Sequence, residues 1–175
     1  MDSLVVTVVG PDRPGLVSLL SERGRTHGAS WEESRMARLA GQFAGIVHFA
    51  VPPENAAALT IALQELGALG LRVVVAPGIG ATLPGAGRVL QLELVGQDRP
   101  GIVRDISRAL AELGVSIQEL TTELSSGAMS GEHMFNAEAL LHVPAGVSTA
   151  ELSAVLEDLA NELMVDVTLD EAKAG

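Results

Sequence analysis

The phrase Gly-x-Asp-Arg-Pro-Gly occurs twice, as "GPDRPGL" at 10–16 and as "GQDRPGI" at 96–102. An internal repeat constrains a fold more than any lone motif, because each copy must be one structural unit. At an offset of 86, Gly10, Asp12, Arg13, Pro14 and Gly15 fall on Gly96, Asp98, Arg99, Pro100 and Gly101. "HGASW" (27–31) falls on "LGVSI" (113–117). The offset then grows to 92, where Phe43 meets Phe135 and "VP" at 51–52 meets "VP" at 143–144. The second copy is therefore longer by about six residues, near "SSGAMSGEH" at 125–133. Between the copies "APGIGATLPGAG" (76–87) has the Gly and Pro content of a linker. The expected division is a first domain over 1–76, a linker over 77–87, a second domain over 88–170 with an extended hairpin at 125–133, and a tail over 171–175.

Each copy reads strand, helix, strand, strand, helix, strand. In "VLQLELV" (89–95) Leu90, Leu92 and Leu94 alternate with Gln91 and Glu93, the pattern of a sheet covered on one face. Ile102, Val103, Ile106, Leu110 and Leu113 then recur at helical spacing, and Gly114 is a stop. Leu16, Leu19, Leu20 and Gly28 do the same in the first copy. In "FNAEALLHV" Phe135, Ala137, Ala139, Leu141 and Val143 share one face. The spacing predicts second helices over 54–66 and 149–163 and final strands over 71–76 and 165–169. The fold class is α+β: two ferredoxin-like βαββαβ domains, with antiparallel sheets and the helices on one face.

Composition excludes several functions. Eleven basic residues stand against 22 acidic ones, and the formal charge is -11. Phosphate backbones are bound by clustered Lys and Arg, so no direct nucleic-acid partner is expected, and no anionic membrane surface. No apolar run reaches the length needed to span a bilayer. "MDSLVVTVVGPD" has no basic n-region, so it reads as a strand and the expected location is the cytoplasm. Cysteine is absent, which removes disulfides and thiolate chemistry. The only lysine, Lys173, lies in the tail, which argues against a buried Schiff-base lysine.

The repeated phrase sits where a strand ends and a helix begins. Asp12 and Asp98 are candidate N-caps. Pro14 and Pro100 suit the first turn, where a missing N–H costs nothing. Gly15 and Gly101 let backbone or ligand approach closely, at a cost of about 1 kcal/mol in helix propensity. Such a helix start accepts an anion. With a nearby acid or carbonyl for an ammonium group, the phrase describes a seat for a free α-amino acid. The competing reading is a capped helix after a tight turn. Arg13 and Arg99 either pair with acids across a subunit contact or point into water.

On these residues the chain resembles the ACT domain family in tandem form. The likeness rests on "VVGPDRPGLVSLLSERGRTHGASW" and "LVGQDRPGIVRDISRALAELGVSI", each followed by a hairpin, a helix and a strand. "AMSGEHMFNAEALLHVP" is similar to the hairpin of the glycine cleavage system transcriptional repressor-like subgroup. The resemblance implies a regulatory protein that binds a small effector, usually an amino acid. It also implies a ligand held between the strand-to-helix loop of one domain and the start of the second strand of another. Carried over, the loop positions are Asp12, Arg13, Pro14, Gly15 and Leu16, with Asp98, Arg99, Pro100, Gly101 and Ile102. The second-strand positions are Ser30 and Trp31, with Ser116 and Ile117. Many members carry Asn there, whereas this chain reads "ASWEE" and "VSIQE". Trp31 is expected to pack in a core or interface ahead of touching ligand.

Other chemistry finds less support. No two of His27, His48, His133 and His142 have the spacing of a helical metal site, and no metal or cofactor is expected. His48 and His142 point away from the apolar sheet face in this register. "GIGATLPG" (78–85) lacks the third glycine and the helix of a dinucleotide loop. No serine sits in a G-x-S-x-G elbow. Glu32, Glu33, Glu119 and Glu123 read as solvated strand acids. Met129, Ser130 and Gly131 form either a flap over a ligand or a plain turn.

Three functions follow. The first is a non-catalytic amino-acid sensor, with glycine or serine as effector, acting as a homodimer on a partner such as a DNA-binding transcription regulator. The second is a protein-interaction module with vestigial ligand sites. The third is an enzyme fragment, since similar domains precede the catalytic parts of formyltetrahydrofolate deformylase and some phosphoserine phosphatases. Two copies use up the chain and leave no catalytic part.

Overall fold

The structure is a computed structural model that describes residues 1–80, 85–126 and 131–172. The expectations for Met129, Ser130 and Lys173 lie outside the described residues. The chain divides into two compact units between residues 82 and 83.

The first unit runs β1 (Asp2–Pro11), α1 (Leu16–Thr26), β2 (Ser30–Leu39), β3 (Gln42–Val51), α2 (Pro53–Gln64) and β4 (Arg72–Pro77), with a 3-10 turn at Glu65–Leu69. The second runs β5 (Gly87–Gln97), α3 (Ile102–Glu112), β6 (Ser116–Ser126), β7 (His133–Pro144), α4 (Thr149–Leu163) and β8 (Val165–Glu171). The sheets have order β2-β3-β1-β4 and β6-β7-β5-β8, with every pairing antiparallel. Each is a two-layer βαββαβ sandwich, as the periodicity predicts.

Strand alternation builds each core. Leu4, Val6 and Val8 of β1 and Val47, Phe49 and Val51 of β3 face the helices with Leu16, Leu20, Leu59 and Leu63. In the second unit Leu90, Leu92, Leu94, Leu141 and Val143 meet Ile102, Ile106, Leu110, Leu152 and Leu156. The two clusters share no residue. Leu110 stands where the first unit has Gly24, against which Phe49 packs so closely that a Cβ would lie 2.6 Å from its ring. The larger ring is matched by the smaller helix residue, which keeps the layer spacing.

Both second strands carry a bulge at the same repeat position, between Trp31 and Glu33 and between Ile117 and Glu119. The extra residue re-aims the strand, so Met36 and Leu120 face inward beyond it. The β2–β3 hairpin turns through Ala40 and Gly41, both at positive φ, which is the turn geometry favoured between two paired strands. No helix among the described residues is long and apolar enough to cross a membrane.

Candidate functional site

The phrase Gly-x-Asp-Arg-Pro-Gly forms the same loop in both units, and its two glycines have different jobs. A Cβ on Gly10 would lie 2.6 Å from Leu71 Cδ2, and one on Gly96 would lie 2.4 Å from Val165 Cγ1. The first glycine is thus required by the start of the last strand pressing on β1 or β5. The second, Gly15 or Gly101, has φ of +93° or +89°. That left-handed conformation costs other residues roughly 1–2 kcal/mol.

This corrects the N-cap expectation. Gly15 and Gly101 occupy the N-cap positions, and neither helix has a side-chain cap. Asp12 and Asp98 lie three residues earlier because the left-handed glycine turns the chain into the helix. The prolines accordingly precede the first turn instead of entering it. The first helical bonds are Leu19 N–H to Gly15 O at 3.0 Å and Asp105 N–H to Gly101 O at 2.9 Å. The N–H groups of residues 16–18 and 102–104 have no partner within their helices. α4 differs, because there the Ser148 hydroxyl accepts from Glu151 N–H.

The loop is tied to its neighbours by backbone bonds. Asp12 N–H donates to Gly41 O at 3.0 Å, and Arg38 Nη1 approaches Asp12 Oδ2 at 3.4 Å. In the second unit Asp98 N–H donates to His133 O at 2.9 Å, and Arg99 Nη2 lies 3.1 Å from Met164 Sδ. Arg13, Pro14 and Pro100 are exposed. Leu16 and Ile102 turn inward and are buried in the two cores. Arg104 folds beside Gly101 and pairs with Asp105 at 3.0 Å. A hollow of about 410 Å³ opens beside the first loop, lined by Val9, Gly10, Pro11, Gln42, Gly70 and Arg72. Sequence reasoning missed Arg38, Gln42 and Arg72. The tight "LAGQ" turn that carries Arg38 and Gln42 to the loop is legible; their alignment with it requires the strand register.

The second-strand residues lie elsewhere. Ser30 aligns with Ala50, and Ala50 with Ser3, whereas Gly10 aligns with Phe43 and Arg38. Seven residues of β1 separate the two rows, roughly 23 Å along the strand. Ser116 and Ile117 likewise align with His142 and Leu141, at the end of the second sheet away from Gly96. Neither unit brings its own loop and its own second-strand start together.

Trp31 is half-buried against the first core, edge-on to Phe49 at 5.3 Å and 78°. Ile117 occupies its place in the second unit, opposite Leu141 instead of Phe49. There a small apolar cavity of about 30 Å³ remains under α3, lined by Ile106, Ile117, Leu120, Phe135 and Ala139 among others. His48 lies on the face away from the helices, where Ser3 Oγ meets its Nε2 at 2.8 Å.

The model of the ACT domain matches residues 2–76 and 88–170. A solved "unknown protein" from Galdieria sulphuraria is 30% identical, with 98% of each chain covered and a TM-score of 0.83. A second solved structure, provisionally named a glycine cleavage system transcriptional repressor, is 20% identical over 98% of each chain with a TM-score of 0.73. No curated protein matches the chain. The family model spans both copies of the repeated loop and the strands and helices around them, so the chain belongs to the ACT domain family, as a tandem of two ACT domains.

Proposed function

We propose that this chain is a non-catalytic regulatory protein that binds a free amino acid and controls a partner protein. The observation that carries this reading is the doubled helix start: two loops of one design, each opening a helix through a left-handed glycine with no side-chain cap. Three N–H groups of each first turn are left for an anion such as an α-carboxylate. Membership of the ACT family supports a regulatory role.

Glycine and serine are the first effectors to test, since the name of the second solved relative points to glycine cleavage. The proposed assembly is a homodimer in the cytoplasm. With twice as many acids as bases, control of transcription runs through a DNA-binding partner and not through direct contact with nucleic acid. A second reading, an interaction module with vestigial sites, is favoured by Trp31, which packs into its own core.

Titration calorimetry against the twenty amino acids separates the two. Saturable binding supports the sensor, and no heat at millimolar ligand sinks it. Val17→Asp and Val103→Asp then locate the seat. Both valines are exposed in a first helical turn. An acid there suits the helix dipole but repels a carboxylate, so binding falls at least tenfold in the occupied copy while the fold is kept.

A further inference from the structure

The two phrase loops are held differently. Buried Leu71 and Val165 press on Gly10 and Gly96, which makes the residues before them equivalent. In the first unit that residue is Gly70, at φ +87°. In the second it is Met164, at φ +56° and ψ +45°. The left-handed region suits glycine and strains a residue that bears a side chain. Among the described residues, Ala40 and Met164 alone adopt positive φ without being glycine. Ala40 lies in the tight turn between β2 and β3, whereas Met164 ends α4. Strain of this kind persists where the surrounding structure has a use for the residue that carries it.

The use is visible at the loop. Met164 Sδ lies 3.1 Å from Nη2 of Arg99, the arginine of the second phrase. Arg99 is half-buried, whereas Arg13, its counterpart in the first phrase, is exposed. Gly70 has no side chain to offer Arg13. The second loop is therefore gripped at two points, Gly96 by Val165 and Arg99 by Met164. Met164 nevertheless stays 67% exposed, open to a small oxidant, while Met36 and Met134 are half-buried.

We propose that Met164 is a positioning residue for Arg99 and a modification site whose oxidation tightens the second loop. A thioether sulfur is a weak hydrogen-bond acceptor. Hydrogen peroxide is the oxidant. The sulfur lone pair forms an S–O bond as the O–O bond breaks. The transferred hydroxyl then gives its proton to the departing hydroxide, which leaves as water. Sulfur loses two electrons and the peroxide gains them. The sulfoxide oxygen is a strong acceptor, so a charge-assisted bond to the guanidinium replaces a weak contact. Methionine sulfoxide reductase reverses the change. The second loop is one of the two proposed seats, so oxidation there becomes a control on effector binding. That consequence rests on the proposed function; the modification and the restraint of Arg99 do not.

The experiment is nuclear magnetic resonance of the isotope-labelled full chain, with the Nε–H signals of Arg13 and Arg99 followed together. The heteronuclear Overhauser effect is expected to show Arg99 more ordered than Arg13. Met164→Gly should bring Arg99 down to the level of Arg13 and raise the thermal midpoint, since glycine accepts the left-handed conformation. A merely structural Met164 would move the midpoint and leave the Arg99 signal alone. By peptide mass mapping, peroxide should oxidise Met164 roughly fivefold faster than Met36 and Met134. It should shift the Arg99 signal and raise its order, and the reductase should restore both. Met164→Leu keeps the bulk without the sulfur, so peroxide should leave its Arg99 signal in place, which excludes an effect through any other methionine. Three results would each overturn the proposal: an Arg99 as mobile as Arg13 in the unaltered chain, an Arg99 signal unmoved once Met164 is oxidised, or the same shift in Met164→Leu. If Met164→Gly is unfolded, the peroxide series and Met164→Leu decide. No effector is used, so a blank amino-acid calorimetry leaves every one of these outcomes standing.

Discussion

Gly10 and Gly15 look interchangeable in the phrase "GPDRPG", yet they answer to different forces. One makes room for Leu71, and the other holds a positive φ. The difference predicts different tolerance. Gly101→Ala should lower stability by roughly 1–2 kcal/mol, since alanine resists the left-handed region. Gly101→Asn should lose clearly less, because asparagine enters that region more readily. Urea titration of both variants checks this, and equal losses would sink it. Gly96→Ala should instead cost more than either, because its Cβ would stand 2.9 Å from Val165 Cα, a backbone atom that cannot swing away. That a glycine was needed at each place is legible in the repeat. The reason is not, because crowding at Gly96 comes from β8, about seventy residues later in the chain.

Element by element, the order strand, helix, strand, strand, helix, strand follows from periods of two and 3.6 in the apolar residues. The bulges in β2 and β6 escape that reading. One extra residue breaks the alternation for a single step, and in "SWEESRM" it is masked by consecutive polar residues. Helix starts escape for a related reason: Asp12 has the chemistry of a cap, but cap position is set by φ at Gly15. Packing differences between equivalent elements make a second prediction. Ala139 of β7 borders the cavity under α3, and the first domain has Val47 at the matching place. Ala139→Val should fill that space and raise stability by about 0.5–1 kcal/mol. Thermal unfolding checks it; a loss would mean the cavity cannot accept the added methyl groups.

For the whole molecule, separate cores give separate reporters. Trp31 is the only tryptophan, and it belongs to the first core. Its fluorescence follows the first domain, while far-UV circular dichroism follows both. Ala139→Val should therefore shift part of the dichroism transition and leave the tryptophan midpoint in place. If both midpoints move together, the domains unfold as one cooperative unit. The domain count was legible from the repeat alone. The acidic sheet face of the second domain, away from its helices, was only half legible: "LQLELV" shows outward Gln91 and Glu93, but grouping them with Glu138 and Asp166 needs the register of two other strands, β7 and β8.

The matching bulges also keep time. A bulge is one inserted residue, and two insertions at the same step of the same strand are better explained by copying than by coincidence. Trp31 against Ile117 and Val47 against Ala139 are then differences laid over one shared frame, with the bulge as the fixed mark from which each is counted.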